Sequence, residues 1–192
     1  SGASSPMALT VLGLGPGAPE LLTQEAQQSL AEAQEVWLRT ARHPVVSSLP
    51  SHLHVNSFDA LYDELPTFEA VYEAIVDRVW ELSQRPEGVL YAVPGHPLVG
   101  EATVMKLLER DGPVRIIAGL SFIEPVLQAL KLDPFTRAGA PATHDFPGLP
   151  SPPAGLQLVD ALRLSLDPAQ PALVAQLYSQ DVFNATQSQS TW

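Results

Sequence analysis

Two short apolar runs, each ending in a Gly/Pro loop, constrain this chain more than any other feature. They are LTVLGLGPG at 9–17 and YAVPGHPLVG at 91–100. Continuous apolar runs of this length mark strands buried on both faces of a parallel sheet. Ligands of such sheets sit beyond the carboxyl ends of the strands, where loops of this kind emerge. Gly13, Gly15 and Gly17 carry no side chain, which lets a ligand approach the backbone, and Pro16 stiffens the turn. Both loops are expected to be walls of one small-molecule site.

The intervening segments alternate in character. Residues 20–34 place Leu22, Ala26, Leu30 and Ala33 along a helical stripe, with Thr23 as a plausible N-cap. A second strand is expected over 35–40, closed by Pro44, and a third, short one over 54–58. Thr67 caps the clearest helix, which runs to about Gln84 with Phe68, Val71, Ile75, Val79 and Leu82 on its apolar face. A strand at 88–93, a helix at 101–110 and a strand at 113–118 follow. Ser121 and Glu124 then form a capping box opening a helix to Leu130. This alternation predicts an α/β fold, a mostly parallel sheet with flanking helices.

From Asp133 the pattern changes. Prolines crowd residues 133–155, which excludes regular helix or strand and reads as a linker. Residues 156–166 fit either helix or strand, and 172–178 (ALVAQLY) reads as a strand opening a second domain. Residues 1–7 read as a leader or tag. The expected organisation is therefore a first α/β domain over 8–132, the linker, and the start of a truncated second α/β domain over 156–192.

Composition narrows the partners. A formal net charge of −11 argues against nucleic acid or an anionic membrane, since phosphates require Lys and Arg. No apolar run approaches the roughly 18 residues of a membrane span. The absence of cysteine excludes disulfides, thiolate nucleophiles and cysteine–zinc sites. A cytoplasmic enzyme fits these totals.

Several motifs compete for chemistry. GLGPGA at 13–18 nominally matches a dinucleotide fingerprint, but that fingerprint needs a helix to start at once, and Pro16 and Pro19 delay it. At the end of the second strand stand Arg39, Thr40, Ala41 and Arg42, where a ribose-binding acid would be required. GLSFI at 119–123 lacks the last glycine of a nucleophile elbow. Glu69, Glu73, Asp77 and Glu81 recur four apart on the long helix; a solvated face explains them better than a magnesium site. No metal site is expected. Ala118, Gly119, Leu120 and Ser121 make a third loop, whose helix start offers free amides. His96 sits inside PGHP at the ligand edge, where bracing the loop and contacting a ligand are both open to it.

At these residues the chain resembles the tetrapyrrole (corrin/porphyrin) methylases, especially the methylase-like domain at the front of MazG/YabN-type proteins. The matching stretches, in order, are 13–23 (GLGPGAPELLT), 38–45 (LRTARHPV), 58–65 (FDALYDEL), 91–99 (YAVPGHPLV), 118–122 (AGLSF) and 176–179 (QLYS). The resemblance implies S-adenosylmethionine as cofactor, bound in a cleft between two α/β domains, in a homodimer. It carries cofactor contacts to Pro16, to Pro94, Gly95, His96 and Val99, to Ser121 and Phe122, and to Gln176. The wider family has Asp where His96 stands. The implied reaction is methyl transfer to a small-molecule or peptide acceptor, and no catalytic residue is nominated. Family acceptors include tetrapyrrole carbons, a modified histidine, ribosomal RNA and peptide amides; the acidity of this chain weighs against RNA. The early stop in the second domain and the missing MazG pyrophosphohydrolase part leave a rival reading, a cofactor-binding or scaffold module without catalysis.

Overall fold

The computed structural model describes residues 8–134, 157–160 and 172–175. The expected leader, nearly all of the Pro-rich linker, Gln176 and the C-terminal tail lie outside the described residues. The chain divides into two compact units, Ser1–Pro125 and Val126–Trp192.

The first unit is built on a five-stranded sheet of β1 (Leu9–Gly13), β2 (Glu35–Leu38), β3 (His54–Ser57), β4 (Val89–Val93) and β5 (Val114–Ile117). All neighbours are parallel, in the order β3-β2-β4-β1-β5. The connection from β1 to β2 passes over β4, and the connection from β4 to β5 passes over β1, so the two crossovers run in opposite directions along the sheet. Parallel crossovers are almost always right-handed, which puts their helices on opposite faces. Accordingly, α1 (Gln24–Glu32) packs Ala26 and Leu30 with Leu12, Leu14, Val36 and Leu38. On the other face α3 (Phe68–Ser83) and α4 (Ala102–Leu108) bury Val71, Ile75, Val79, Val104 and Leu107 with Leu9, Val11, Tyr91 and Val93. Alternate residues of β1 thus serve opposite cores, as the pleat requires.

Helix starts follow their caps. The Thr23 and Thr67 hydroxyls accept from the Ala26 and Ala70 amides, each worth about 1 kcal/mol. Leu22, expected on the first helical stripe, instead precedes the cap and ends a 3-10 turn over Pro19–Leu21. A short helix, α2 (Asp59–Glu64), stands where no helix was expected; it is too brief to show a period. β2 ends two residues before the predicted limit. The acidic stripe of α3 faces basic residues: Lys106 pairs with Glu69 and Glu73, Arg110 with Asp77, and Arg78 with Glu81. The last helix, α5 (Ile123–Leu130), opens on the predicted capping box and contains the boundary between the units.

In the second unit, β6 (Gln157–Asp160) and β7 (Ala172–Ala175) form a parallel pair. Residues 157–160, left open between helix and strand, are extended, and 172–175 are a strand as expected. Among the described residues no helix is long and apolar enough to cross a membrane.

Ile75, fully buried between α3 and the sheet, reports on this core. Ile75→Ala is expected to lower unfolding free energy by about 2–5 kcal/mol, read as a lower urea midpoint at unchanged slope. The exposed Glu81→Gln is expected to change it by under about 0.5 kcal/mol.

Candidate functional site

The loops after β1, β4 and β5 meet at the carboxyl edge, beyond three adjacent strands of the sheet. An antiparallel bridge joins the first two: the Gly15 amide donates to the Gly95 carbonyl at 3.1 Å, and the Gly95 amide donates to the Gly15 carbonyl at 2.8 Å. The third loop is pressed against both. A Cβ on Gly13 would lie 2.5 Å from the Gly95 oxygen and 2.8 Å from the Gly119 nitrogen, and one on Gly119 would lie 2.3 Å from the Gly95 oxygen. The missing side chains of Gly13 and Gly119 therefore make room for neighbouring backbone. For Gly13 this corrects the sequence reading, in which a ligand used that space. Gly95 differs: its φ is +67° and the nearest atom to a Cβ is 3.7 Å away.

Two side chains brace this assembly. His43 accepts from the Val45 amide at Nδ1, so its proton resides on Nε2 and is donated to the Gly15 carbonyl at 2.9 Å. Thr23, besides capping α1, donates its hydroxyl to the Ala118 carbonyl at 3.1 Å.

Of the predicted site residues, Pro16 is exposed at the first loop, while Pro94, Gly95, His96 and Val99 are half-buried on the second. His96 braces its own loop by accepting the Leu98 amide at Nδ1 (3.0 Å), which leaves Nε2 carrying the proton. Ser121 is buried, with its hydroxyl accepting from the Ile123 amide and donating to Glu124, and its own amide also donates to Glu124; any ligand contact is left to its carbonyl. Phe122 is 37% exposed at the same edge. Seven of the eight predicted residues thus lie on three interlocked loops, and Gln176 is outside the described residues. The helix after the first loop begins only at Gln24, in keeping with the argument against a dinucleotide fingerprint.

A polar cluster escaped the sequence reading. Asp59 accepts from the Thr40 hydroxyl (2.6 Å) and the Ala41 amide (2.8 Å), fixing the turn after β2. Burial alone would raise its carboxyl, but these bonds, with Ser57 and Arg42, hold it below the usual value. Glu101, 8% exposed, lies 3.0 Å from Arg39 Nε. That N–H is poorly aligned, so the contact is an ion pair without a full hydrogen bond. Arg39 also donates from Nη1 to the Tyr62 hydroxyl at 3.0 Å. A cavity of about 320 Å³ opens beside Tyr62, lined also by Leu65, Pro66, Thr67, Phe68 and Val71. The stretches LRTARHPV and FDALYDEL hold most of this cluster, but their pairing is visible only in three dimensions.

The molecule can be set beside known proteins. A sequence model of the tetrapyrrole (corrin/porphyrin) methylases matches residues 8–169. YabN of Bacillus subtilis strain 168 is 34% identical over 180 residues, which make up 90% of this chain and 33% of YabN. The chain thus spans about a third of that relative's length. Uroporphyrin III C-methyltransferase from Thermus thermophilus superposes with a TM-score of 0.54 at 22% identity, over 95% of this chain and 76% of the other. The cobalt precorrin-4 methyltransferase CbiF gives 0.55 at 16% identity, over 96% and 74%. At such identities these structures speak to the fold alone.

The packing of the loops separates two glycines. Gly119→Ala is expected to cost at least about 1–3 kcal/mol by overpacking. Gly95→Ala, in open space but at positive φ, is expected to cost about 1–2 kcal/mol. Thermal unfolding of the two variants checks the order.

Proposed function

Because this chain belongs to the tetrapyrrole methylase family, we propose that it binds S-adenosylmethionine on the three interlocked loops and transfers its methyl group to an acceptor. The observation that carries this reading is the Gly15–Gly95 bridge with Gly119 packed against it. It brings seven residues of three distant stretches to one edge of the sheet.

The residues there suit such a ligand. The half-buried Pro94, Gly95 and Val99 present main chain and small apolar surface. His96 Nε2–H is a donor that the described residues leave unengaged. Phe122 offers an aromatic ring suited to an adenine, and Pro16 closes the first loop. Gln176 belongs to the same proposed contact set. When bound, S-adenosylmethionine supplies a methyl group already activated on a sulfonium. The chain's part is then to bind, orient and exclude water, and positioning alone contributes several kcal/mol to such steps.

The acceptor is proposed to be a small molecule or a peptide, since the net charge of −11 opposes RNA. The reading carries with it a homodimer, a cytoplasmic location and association with a MazG-type pyrophosphohydrolase. A second reading is donor binding without transfer.

Calorimetric titration with S-adenosylhomocysteine tests the proposal. Saturable binding is expected for the native chain and loss of binding for Gly95→Arg at a thermal midpoint that still reports a folded protein. A folded native chain that binds none overturns both readings. Binding without methyl transfer to any small-molecule or peptide acceptor supports the second.

A further inference from the structure

The proposed donor site makes no use of the buried charged cluster behind the second loop. Glu101 ends that loop and is the N-cap residue of α4, yet its side chain makes no cap hydrogen bond. A carboxylate there would ordinarily turn to the free amides of its own helix. It reaches instead to Arg39, at 3.0 Å, just beyond the end of β2. Arg39 is itself fixed: its amide donates to the Ala92 carbonyl of β4 at 2.9 Å, and its Nη1 to Tyr62 on α2. The second loop is thus tied at three points. The Gly15 bridge holds its start, His96 holds its middle through the Leu98 and Val99 amides, and Glu101 holds its end.

We propose that the Arg39–Glu101 pair, oriented by Tyr62, is the strut that positions the PGHP loop and so sets the affinity of the donor site. These are positioning residues and need touch no ligand. The ligand half of the proposal rests on the S-adenosylmethionine reading above, whereas the placement of the loop does not.

The pair has a distinctive pH behaviour. Burial pushes the Glu101 carboxyl up to about 7, and the opposing Arg39 charge offsets this only in part. The ionisable groups facing it are Arg39 from the end of β2, Tyr62 from α2 and Tyr91 from β4. Burial raises both tyrosines, so they stay neutral. Burial, the largest influence on Arg39, would lower it, but Glu101, Tyr62 and Tyr91 together outweigh burial and the guanidinium stays charged. Within this cluster only Glu101 changes charge between about pH 6 and 8. Above pH 7 the strut is charged and the loop held; below it the carboxyl is neutral and the loop loosens. Stability moves the other way. A folded-state pKa raised from 4.5 contributes stability that is complete below 4.5 and lost as pH rises through about 7. A pair serving stability alone would not set affinity against it.

The test measures amide hydrogen exchange over residues 94–101 of the ligand-free full chain at pH 6 and 8, corrected for intrinsic rates. S-adenosylhomocysteine calorimetry and thermal unfolding at the same pH values accompany it. The native chain is expected to exchange faster in this loop at pH 6 and to bind the probe about five-fold more weakly there, because affinity falls with the ordered fraction. Its thermal midpoint is expected to rise from pH 8 to 6. Glu101→Gln is expected to show fast loop exchange, weak binding and no pH dependence of either, which separates Glu101 from His96 on the same loop. If it does not fold, the double variant R39M/E101L, an apolar replacement of the whole pair, is expected to show the same flat, weak profile. A folded variant with native loop exchange and a native pH profile overturns the strut. A native chain whose loop responds to pH but which binds no probe overturns the donor reading and leaves the strut standing.

Discussion

The contact on which the rest of this site depends is backbone against backbone. Gly13, Gly95 and Gly119 come from strands far apart in sequence, and their main chains approach so closely that a methyl group at two of them would collide. Side chains elsewhere in the edge inherit their places from this. His43 reaches the Gly15 carbonyl, Thr23 reaches the Ala118 carbonyl, and His96 folds its own loop back on itself. A site of this kind is recognised less by its functional groups than by the precision with which neutral main chain is displayed.

Electrostatics divides between surface and interior. Most acidic side chains among the described residues are exposed, and where they run along α3 they meet Lys106 and Arg110 of the α4 region. Exposed pairs of this sort contribute little stability each. The Arg39–Glu101 pair is different because Glu101 is buried and Arg39 half-buried, and removal of Arg39 would leave the Glu101 carboxyl out of water without its partner. Its position behind the second loop links a costly interior interaction to the proposed ligand edge.

Much of the first unit was legible in the sequence for local reasons. Thr23 and Thr67 stand before helical stripes, Ser121 and Glu124 have capping-box spacing, and the strands are short apolar runs bounded by Gly and Pro. The edge where the three loops meet followed from where the glycines fall. What escaped was non-local or too short. α2, at six residues (Asp59–Glu64), cannot display a period. Arg39, Tyr62 and Glu101 look like ordinary surface residues until the fold brings them together. The role of Gly13 was misread because a sequence shows that a side chain is missing but not what fills the space.

The three interlocked loops are the proposed donor site, and amide nitrogen–proton spectra of the labelled chain during titration with S-adenosylhomocysteine put that to the test. Saturable shifts are expected at Gly15, Gly95, Val99 and Ser121, with Val76 and Val79 in the middle of α3 unmoved. Saturable shifts that spare all three loops, or none at all in a folded chain, would contradict it.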